Sequence, residues 1–491
     1  MIIIIQHSKS KIQHFLSFLI QNPKSKIQHL FCFLIQNPKS KIQHLLTHSG
    51  FRRYFTNTSW LFVEQVLRMI AGFLVGVWVA RYLGPEKYGI FNYSLAFVAI
   101  FAGVAKLGLD GIVIRELVKE PEKKDLYLGT AFWLKFVGAF VVLFLIAIGT
   151  LFTNNDRTIN LYIFIIAAGI FFQSFEVVDF YFQSKVLSKF VSICKIIQLI
   201  LSSLLKIYFV LTKADLIYFV LITLIDQITL AITLFLSYSH YHKHNEPQKN
   251  WLHFLNAETF NFQIAKNLLK DSWPLILVLI SATLYERIDQ IMIKEMLSSY
   301  SVGIYSAAVK ISGVSVIASP IFAYSFFPAL VNARKRSYEE FHKRLIFLYS
   351  FVFWFSLVIS FLVCYFSADI INLLYGDKFK NSSMVLSIYI FTSVFAYIGG
   401  VSSRWYIIEN MQNIFSLNLF LSVVLNILLN LILIPKYNVK GAAIASLITF
   451  SFSSYFSNLL NKKTLNNFRL QTKGIYYPFR FLLFFYNRRG Q

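Results

Sequence analysis

The residues best placed to do chemistry are charges that lie inside apolar stretches of the chain. Glu286, Arg287 and Asp289 fall near the centre of an apolar stretch from residue 271 to 297. At about 1.5 Å per residue, a helix of this length crosses about 30 Å of hydrocarbon. A charge at that depth is costly unless it faces a paired or wet interior. The stretch therefore predicts a membrane helix that lines a polar cavity, as in a transporter.

Three further charges complete the set of candidate residues for that cavity. Glu64 and Arg68 lie four residues apart in an earlier apolar stretch, so they share a helical face and can pair. Lys310 lies in the next apolar stretch after the one that contains Asp289. Taken singly, each charge fits a structural ion pair or a side chain that reaches the headgroups better than a binding role. Arg287 in particular is structural if Glu286 or Asp289 neutralises it.

Taken together, the cations favour a binding site for an anion. Lys and Arg recur in several apolar stretches that an internal repeat would gather around one central cleft. Arginine grips phosphate through two parallel hydrogen bonds and lysine acts as a point charge. A pyrophosphate headgroup is therefore a chemically sensible guest for a cavity of this kind.

Motifs of the common enzyme and metal sites are not found. The sequence has no GxxxxGK[ST] phosphate loop, no HExxH and no GxSxG. The cysteines Cys32, Cys194 and Cys364 are scattered, with no ligand spacing to histidines or carboxylates. We therefore predict a protein that is not an enzyme and needs no cofactor and no metal.

Composition places the chain among polytopic membrane proteins. Hydrophobic residues make up 56% and charged residues only 14% of the 491 residues, which include 52 Phe, and the mean hydropathy is +0.59. Such values are abnormal for a soluble domain. The net charge of +24 would suggest nucleic acid in a soluble protein. Here most Lys and Arg lie between apolar stretches, where they set orientation, so no nucleic-acid partner is expected.

Twelve apolar stretches of spanning length predict an all-α integral membrane fold. A polar break at 240–270 divides them into two groups of six. The predicted spans are 58–82, 88–112, 127–152, 159–183, 186–212, 214–239, 271–297, 303–330, 343–366, 383–408, 414–435 and 440–460.

A short sequence echo suggests that the two groups are copies of one unit. Leu83, Gly89, Ile90 and Phe91 have the same spacing as Leu297, Gly303, Ile304 and Tyr305. In both places a span ends, a very short loop turns, and the next span begins. Many transporters consist of two such halves with the substrate site between them. We therefore predict two six-helix lobes related by an internal repeat.

The distribution of basic residues predicts the orientation. Loops before spans 3, 5, 7 and 9 carry most of the Lys and Arg, whereas the alternate loops hold only seven: Lys87, Arg157, Lys213, Lys378, Lys380, Lys436 and Lys440. By the positive-inside rule the richer loops and both termini are cytoplasmic. The basic, aromatic tail from 461 to 491 has an apolar run too short to span, which favours an interfacial segment over a thirteenth helix.

The first 46 residues contain a 15-residue repeat, KSKIQHFLSFLIQNP and two close copies. The unit is too uniform for a working solenoid and matches no familiar repeat period. We expect residues 1–57 to be disordered or not native, and about the first 46 of them to be dispensable for function. The predicted domains are then a lobe at 58–239, a cytoplasmic linker at 240–270, a lobe at 271–460 and the tail.

Several motifs resemble one known family of exporters. They are WVARYLGPEKYGIF, LGLDGIVIREL, IDQIMIKEMLSSYSVGIYSAA, FFPAL, LLYGDKF and VVLNILLNLILIPKYNVKGAAIASL. In this order they resemble bacterial polysaccharide-biosynthesis and O-antigen flippases of the multidrug/oligosaccharidyl-lipid/polysaccharide exporter superfamily. The resemblance runs from about Thr58 to Leu460 and leaves the N-terminal repeat outside it.

The resemblance implies a flippase of the bacterial plasma membrane. It would translocate an undecaprenyl-diphosphate-linked oligosaccharide by alternating access, with the lipid tail in the bilayer. Further candidate partners are membrane lipid, a polysaccharide polymerase and chain-length proteins. These families share turn motifs better than binding residues. The choice of candidate site residues therefore rests on charge and depth alone; they are Glu64, Arg68, Glu286, Arg287, Asp289 and Lys310.

Other classes of function remain open at this point. An ion-coupled multidrug antiporter of the same superfamily shares the twelve-helix plan, but an acidic or aromatic cavity would suit cationic drugs better. A membrane polymerase or glycosyltransferase normally carries acidic residues in a sizeable outer loop, and here the outer loops are short. A purely structural membrane protein would leave the intramembrane charges without a use.

Overall fold

The computed structural model describes residues 49–245 and 253–488, with side chains over 56–244 and 253–478. The N-terminal 15-residue repeat lies outside the described residues, so its predicted dispensability stays a prediction. Part of the predicted linker, 246–252, lies outside them as well. The chain divides into one unit that ends at Val63 and a larger unit from Glu64 onward.

The described residues form helices and contain no β-strand, which confirms the predicted all-α membrane fold. Runs of apolar residues favour helices here because a helix satisfies all its backbone hydrogen bonds within the segment. The α-helices are α1 Ser49–Ala105, α2 Asp110–Lys119, α3 Lys124–Leu151, α4 Arg157–Phe172, α5 Val177–Ser184, α6 Ser188–Leu211, α7 Leu216–Asn245, α8 Phe262–Met296, α9 Ser299–Val316, α10 Ala318–Arg336, α11 Tyr338–Tyr365, α12 Ser367–Tyr375, α13 Ser382–Tyr389, α14 Thr392–Ile408, α15 Gln412–Tyr437, α16 Val439–Ser454 and α17 Leu465–Arg488.

The span count agrees with the prediction once two helices are considered. Over the described residues, ten helical stretches are long and apolar enough to cross a membrane. The first of them, Thr56–Lys119, contains two spans because Gly84 breaks α1 with φ 72° and ψ 171°. The helix α16 is apolar but shorter than the other ten. With α1 counted as two spans and α16 included, the total is the predicted twelve.

Four predicted spans are each broken into two helices. The second span is interrupted at Leu107 and Gly108, which both have positive φ. A Cβ on Gly108 would lie 2.9 Å from the Cβ of Leu275, so glycine lets this break approach α8 closely. The other interruptions separate α4 from α5, α9 from α10, and α13 from α14. Hydropathy marked these stretches correctly but gave no sign of the breaks.

Three buried apolar clusters form the core. One includes Tyr93 and Ile304 and joins helices from both halves of the chain. A second, around Tyr181, lies among the helices of the N-terminal half and the segment leading into α8. The third surrounds Trp405 in the C-terminal half. We call α1 to α7 from Glu64 onward the N-terminal lobe and α8 to α16 the C-terminal lobe.

The two copies of the repeated turn pack directly on each other. A Cβ on Gly89 would lie 1.7 Å from the carbonyl oxygen of Ser299, and a Cβ on Gly303 would lie 1.8 Å from that of Pro85. Pro85 and Ser299 occupy equivalent positions of the echo, four residues before the two glycines. The contact is therefore reciprocal, as expected for halves related by a two-fold repeat.

Alternate loops lie at opposite ends of the helices, as the basic-residue pattern predicts. At one end Lys87 contacts Asp215 at 3.2 Å, and Tyr82 donates a hydrogen bond to the Ala214 carbonyl at 2.8 Å. At the other end Arg334 pairs with Glu409 at 2.9 Å. We call the first the Lys87 end and the second the Arg334 end. The assignment of the Arg334 end to the cytoplasm stays a prediction.

The tail forms a helix that packs along α11. Asn466 contacts the His342 ring at 3.2 Å, and Trp354 donates a hydrogen bond to the Ile475 carbonyl at 3.2 Å. The predicted interfacial segment thus packs against the C-terminal lobe over residues 466–475. The predicted domain boundaries themselves stay predictions.

Candidate functional site

A cavity lies between the two lobes within the predicted membrane region. Its volume is about 180 Å³, and α1, α6, α7 and α9 contribute to its walls. The polar residues that line it are Tyr88, Asn92, Ser202, Ser203, Lys206 and Lys310, alongside Gly72, Gly76 and apolar side chains.

A row of four residues on α1 leads to this cavity. Glu64, Arg68, Gly72 and Gly76 follow one another at intervals of four, so they lie on one face of the helix. A Cβ on Gly72 would meet no atom within 4 Å, whereas a Cβ on Gly76 would lie 1.9 Å from the ammonium nitrogen of Lys310. Because glycine has no side chain, Gly72 leaves room for the cavity and Gly76 leaves room for the Lys310 side chain.

Lys310 is a cation without a partner among the described residues. It belongs to α9 in the C-terminal lobe, and its side chain reaches across to Gly76 in the N-terminal lobe. No hydrogen bond or ion pair to it is present in the described part of the chain, and Lys206 faces the same cavity. Lys310 thus presents an uncompensated positive charge to a membrane cavity.

A second lysine stands beside it in a small polar cluster. Lys206 donates a hydrogen bond to Ser202 at 2.7 Å and lies 3.7 Å from Asp226. Ser202 in turn donates to Asp226 at 3.0 Å. None of the three was among the predicted site residues, although Ser202 and Lys206 share the interval of four that marked Glu64 and Arg68. The spacing does not connect either of them with Asp226, which lies in the next span.

The predicted pair of Glu64 and Arg68 is present. The Arg68 Nε donates to Glu64 Oε1 at 2.7 Å, with Glu64 buried and Arg68 39% exposed. Because Nε makes this contact, the outer nitrogens of the guanidinium remain able to donate to a ligand. Arg68 lies one turn before Gly72, at the approach to the cavity.

Asp289 lies away from the cavity, inside the C-terminal lobe. Tyr305 and Ser446 each donate to Oδ2 at 2.5 Å, and Asn430 donates to Oδ1 at 2.6 Å. All three donors are neutral, and among the described residues no cation lies within ion-pair distance. The predicted position in the lumen is therefore not what the structure shows for this side chain.

The surroundings of Asp289 have their own chemistry. The carboxyl is 6% exposed, and the buried Asn430 Oδ1 beside it has no hydrogen-bond partner in the described chain. A buried carboxylate with neutral donors is stabilised by a proton, which removes its charge, or by a small hard cation, which prefers oxygen ligands. The described residues contain no group of three or more His, Cys, Asp or Glu that could hold a metal.

Arg287 and Glu286 are not neutralised by their neighbours. In the described chain Arg287 has no ion pair with Glu286 or with Asp289, which is occupied by its neutral donors. Thr283, one turn earlier on α8, faces the N-terminal lobe, since a Cβ on Gly103 would lie 3.6 Å from its Oγ1. Arg287 shares that face of α8. Glu286 is exposed and unpaired in the described part of the chain.

The lobes are joined by polar contacts near the Lys87 end. Tyr93 donates to Glu295 at 2.9 Å, and Lys294 donates to Asn155 at 3.1 Å. Together with the contact of Gly89 and Gly303 they form what we call the outer seam. The outer seam closes the space between the lobes on one side of the cavity.

The family model described as "Polysaccharide biosynthesis protein" matches residues 55–334, more than half of the chain. The chain belongs to this family. Two curated proteins are similar to this member of the polysaccharide biosynthesis protein family. The probable low-salt glycan biosynthesis flippase Agl15 of Haloferax volcanii is 25% identical over 40% of the chain and 41% of its own length. The capsular polysaccharide biosynthesis protein CapF of Staphylococcus aureus is 22% identical over 80% of the chain and 95% of its own length.

Solved structures share the fold of this polysaccharide biosynthesis family member. An inward-facing multidrug resistance MATE family transporter of the MOP superfamily aligns with a TM-score of 0.65 and 14% identity, over 85% of this chain and 99% of that one. The lipid II flippase MurJ in an inward closed conformation aligns with a TM-score of 0.63 and 16% identity, over 86% and 92%. At these identities the likeness establishes the fold alone, and it confirms the predicted all-α architecture of a multi-pass membrane protein.

Proposed function

We propose that this protein is a flippase that carries a lipid-linked oligosaccharide, joined to its polyprenyl tail through a diphosphate, across the bacterial plasma membrane. The protein acts by alternating access and without catalysis, and both termini lie in the cytoplasm. Membership of the polysaccharide biosynthesis family and the flippase names of its relatives support the substrate class.

The observation that carries the proposal is the unpaired Lys310 in the cavity between the lobes. An ammonium in a membrane interior is destabilised unless an anion compensates it. The described chain supplies no such anion to Lys310, whereas it supplies Asp226 to Lys206 and Glu64 to Arg68. A bound diphosphate provides the negative charge that the described part of the chain does not supply to Lys310, whereas a cationic drug does not.

The size of the cavity limits which part of the substrate it holds. Its 180 Å³ are below the roughly 300–1,000 Å³ typical of sites for drug-sized molecules. The cavity therefore accommodates the charged headgroup, with Arg68 at its approach able to form the bidentate contact that arginine makes with phosphate. The oligosaccharide occupies the space away from the outer seam.

The outer seam gives the proposed transport cycle a direction. With Tyr93, Glu295 and the two glycines closing the Lys87 end, the headgroup reaches Lys310 only from the opposite side. Export then requires that the seam opens and the two lobes part at that end. This state agrees with the inward conformations of the two solved structures.

The proposal is tested with purified protein in liposomes that contain a fluorescent polyprenyl-diphosphate oligosaccharide. Lys310→Met keeps the length of the side chain and removes its charge, so we expect translocation to fall at least about tenfold, as the loss of one buried charge contact implies. Lys310→Arg should retain part of the activity. Lys87→Met is the matched control, because Lys87 is exposed and does not line the cavity.

Two results would contradict the proposal. One is unchanged translocation in Lys310→Met at equal protein abundance. The other is transport of a cationic dye by the wild-type protein with no translocation of the lipid-linked substrate, which would favour the multidrug antiporter.

A further inference from the structure

The C-terminal helix α17 has one face that is built into the protein. Asn467, Leu470, Gln471 and Gly474 recur at intervals of three and four, and all four are buried. A Cβ on Gly474 would lie 2.7 Å from the Tyr349 Cβ, so α17 and α11 are in close contact there. The helix is therefore fixed against α11 in one rotational setting.

A network of neutral side chains holds this face in place. Tyr349 donates to Asn467 Oδ1 at 2.7 Å, and Asn467 Nδ2 donates to Ser402 at 2.7 Å and to Asn458 at 3.0 Å. Buried polar groups that are satisfied in this way specify a single arrangement. Because this network fixes the buried face of α17, it also fixes the direction of the opposite face.

The opposite face presents two cations and aromatic rings. Arg469 and Lys473 are exposed and one helical turn apart. They border a surface concavity of about 400 Å³, which Phe468, Thr472 and Tyr476 also line among the described residues. Side chains at this interval have Cβ atoms about 5–6 Å apart, so both can contact one phosphate group.

No carboxylate of the described chain compensates these cations. The nearest acidic residues along α11 are used within their own helix, since Glu339 pairs with Lys343 at 2.6 Å and Glu340 with Arg344 at 2.5 Å. Arg469 and Lys473 have no ion pair among the described residues. A partner that binds here must bring its own negative charge.

The position along α11 indicates where that charge lies. Asn466 is level with Tyr338 and His342, and Gly474 is level with Ile346 and Ser350. Arg469 and Lys473 therefore flank the point at which the last charges of α11 give way to its apolar run. In a membrane protein this is the headgroup level of the leaflet at the Arg334 end.

We propose that Arg469 and Lys473 form a binding site for the headgroup of an anionic phospholipid. The phosphate lies between the two cations, and Phe468 and Tyr476 contact the glycerol and the first part of the acyl chains. Basic pockets at this level attract anionic headgroups in membrane proteins in general. The site is separate from the Lys310 cavity and does not depend on the proposed substrate.

Native mass spectrometry of the full chain released from nanodiscs tests this site. With equal parts of phosphatidylglycerol and phosphatidylcholine, the wild type should retain phosphatidylglycerol selectively. Arg469→Gln with Lys473→Gln should weaken that retention about 30-fold, given the contribution of each basic residue near an anionic surface. Lys462→Gln with Lys463→Gln is the matched control, because it removes the same charge from exposed residues outside the concavity. The control should retain the lipid.

Two further measurements distinguish this lipid site from general attraction to an anionic surface and from the substrate cavity. The thermal midpoint of the purified wild type should rise on addition of phosphatidylglycerol, and that rise should be lost only in the Arg469 and Lys473 variant. Lys310→Met should bind the lipid like the wild type even if translocation fails. Equal lipid retention in both double variants would overturn the proposal. So would displacement of phosphatidylglycerol by the lipid-linked oligosaccharide, which would assign the site to the substrate.

Discussion

The reciprocal contact of Gly89 and Gly303 allows the closed state to be perturbed at a single atom. In Gly303→Ala the new Cβ would lie 1.8 Å from the Pro85 oxygen, whereas real Cβ atoms essentially never come closer than 3.0 Å. The backbones must therefore separate by about 1.2 Å or more. Gly89→Ala demands about 1.3 Å, from 1.7 Å, against Ser299. Overpacking of this kind costs about 1–3 kcal/mol.

This free-energy cost destabilises the state in which the outer seam is closed. It does not affect a state in which the lobes have separated at the seam. At 1.4 kcal/mol for each factor of ten, either substitution should shift the population toward the outer-open state by about 5- to 150-fold. Spin labels at Lys213, exposed in a loop of the N-terminal lobe, and at Lys436, exposed in the last turn of α15, would report the shift as a longer distance by double electron-electron resonance. Export should slow, because the inward state becomes less populated.

Matched controls are available on the same spans. Gly313→Ala on α9 and Gly111→Ala on α2 add the same methyl group where a Cβ meets nothing within 4 Å. Both should leave the distance distribution unchanged and slightly stabilise their helices. If Gly303→Ala and Gly313→Ala gave the same distances and the same export rate, the role assigned to the outer seam would be refuted.

Two further predictions concern α8. Arg287→Ala should leave membrane abundance normal, since Arg287 has no ion pair to lose in the described chain, but it should abolish export. Arg287→Lys should reduce export. Quantitative blotting measures the abundance and the liposome assay measures export, and normal export from the Ala variant would remove Arg287 from the substrate path. Asp289→Asn keeps the shape of its pocket but cannot exchange a proton. Translocation should therefore lose its response to an imposed proton or sodium gradient, while headgroup binding persists. An intact response of translocation in a gradient-jump experiment would contradict this role of Asp289.

Local spacing in the sequence was enough to predict the spans, the repeated turn and the pair of Glu64 and Arg68. Apolar runs long enough to cross a bilayer have few alternatives to a helix. The pair needed only the rule that residues four apart share a face. The glycines of the echo were conspicuous because a repeated turn between two spans leaves little room for side chains.

The grouping of charges around the cavity could not be predicted, because it depends on helix rotation and on contacts between distant spans. Arg287 and Asp289 are two residues apart, yet a helix turns by about 200° over that interval, so one faces the N-terminal lobe and the other the interior of its own lobe. Lys206 and Asp226 come together only because α6 and α7 pack side by side. Hydropathy alone contains no information about either arrangement.

The two-fold relation between the lobes has a consequence for how a ligand is oriented. Where the turns meet, each half contacts the same residues in the other, as in the isologous interface of a symmetric dimer. The cavity nearby does not share this symmetry. The position equivalent to Lys310 in the first half, by the register that matches Gly89 with Gly303, is Ala96, and the equivalent of Arg68 in the second half is Ala282. A duplicated scaffold has thus acquired cations on one copy at a time, so a guest with one charged end can enter in a single polarity.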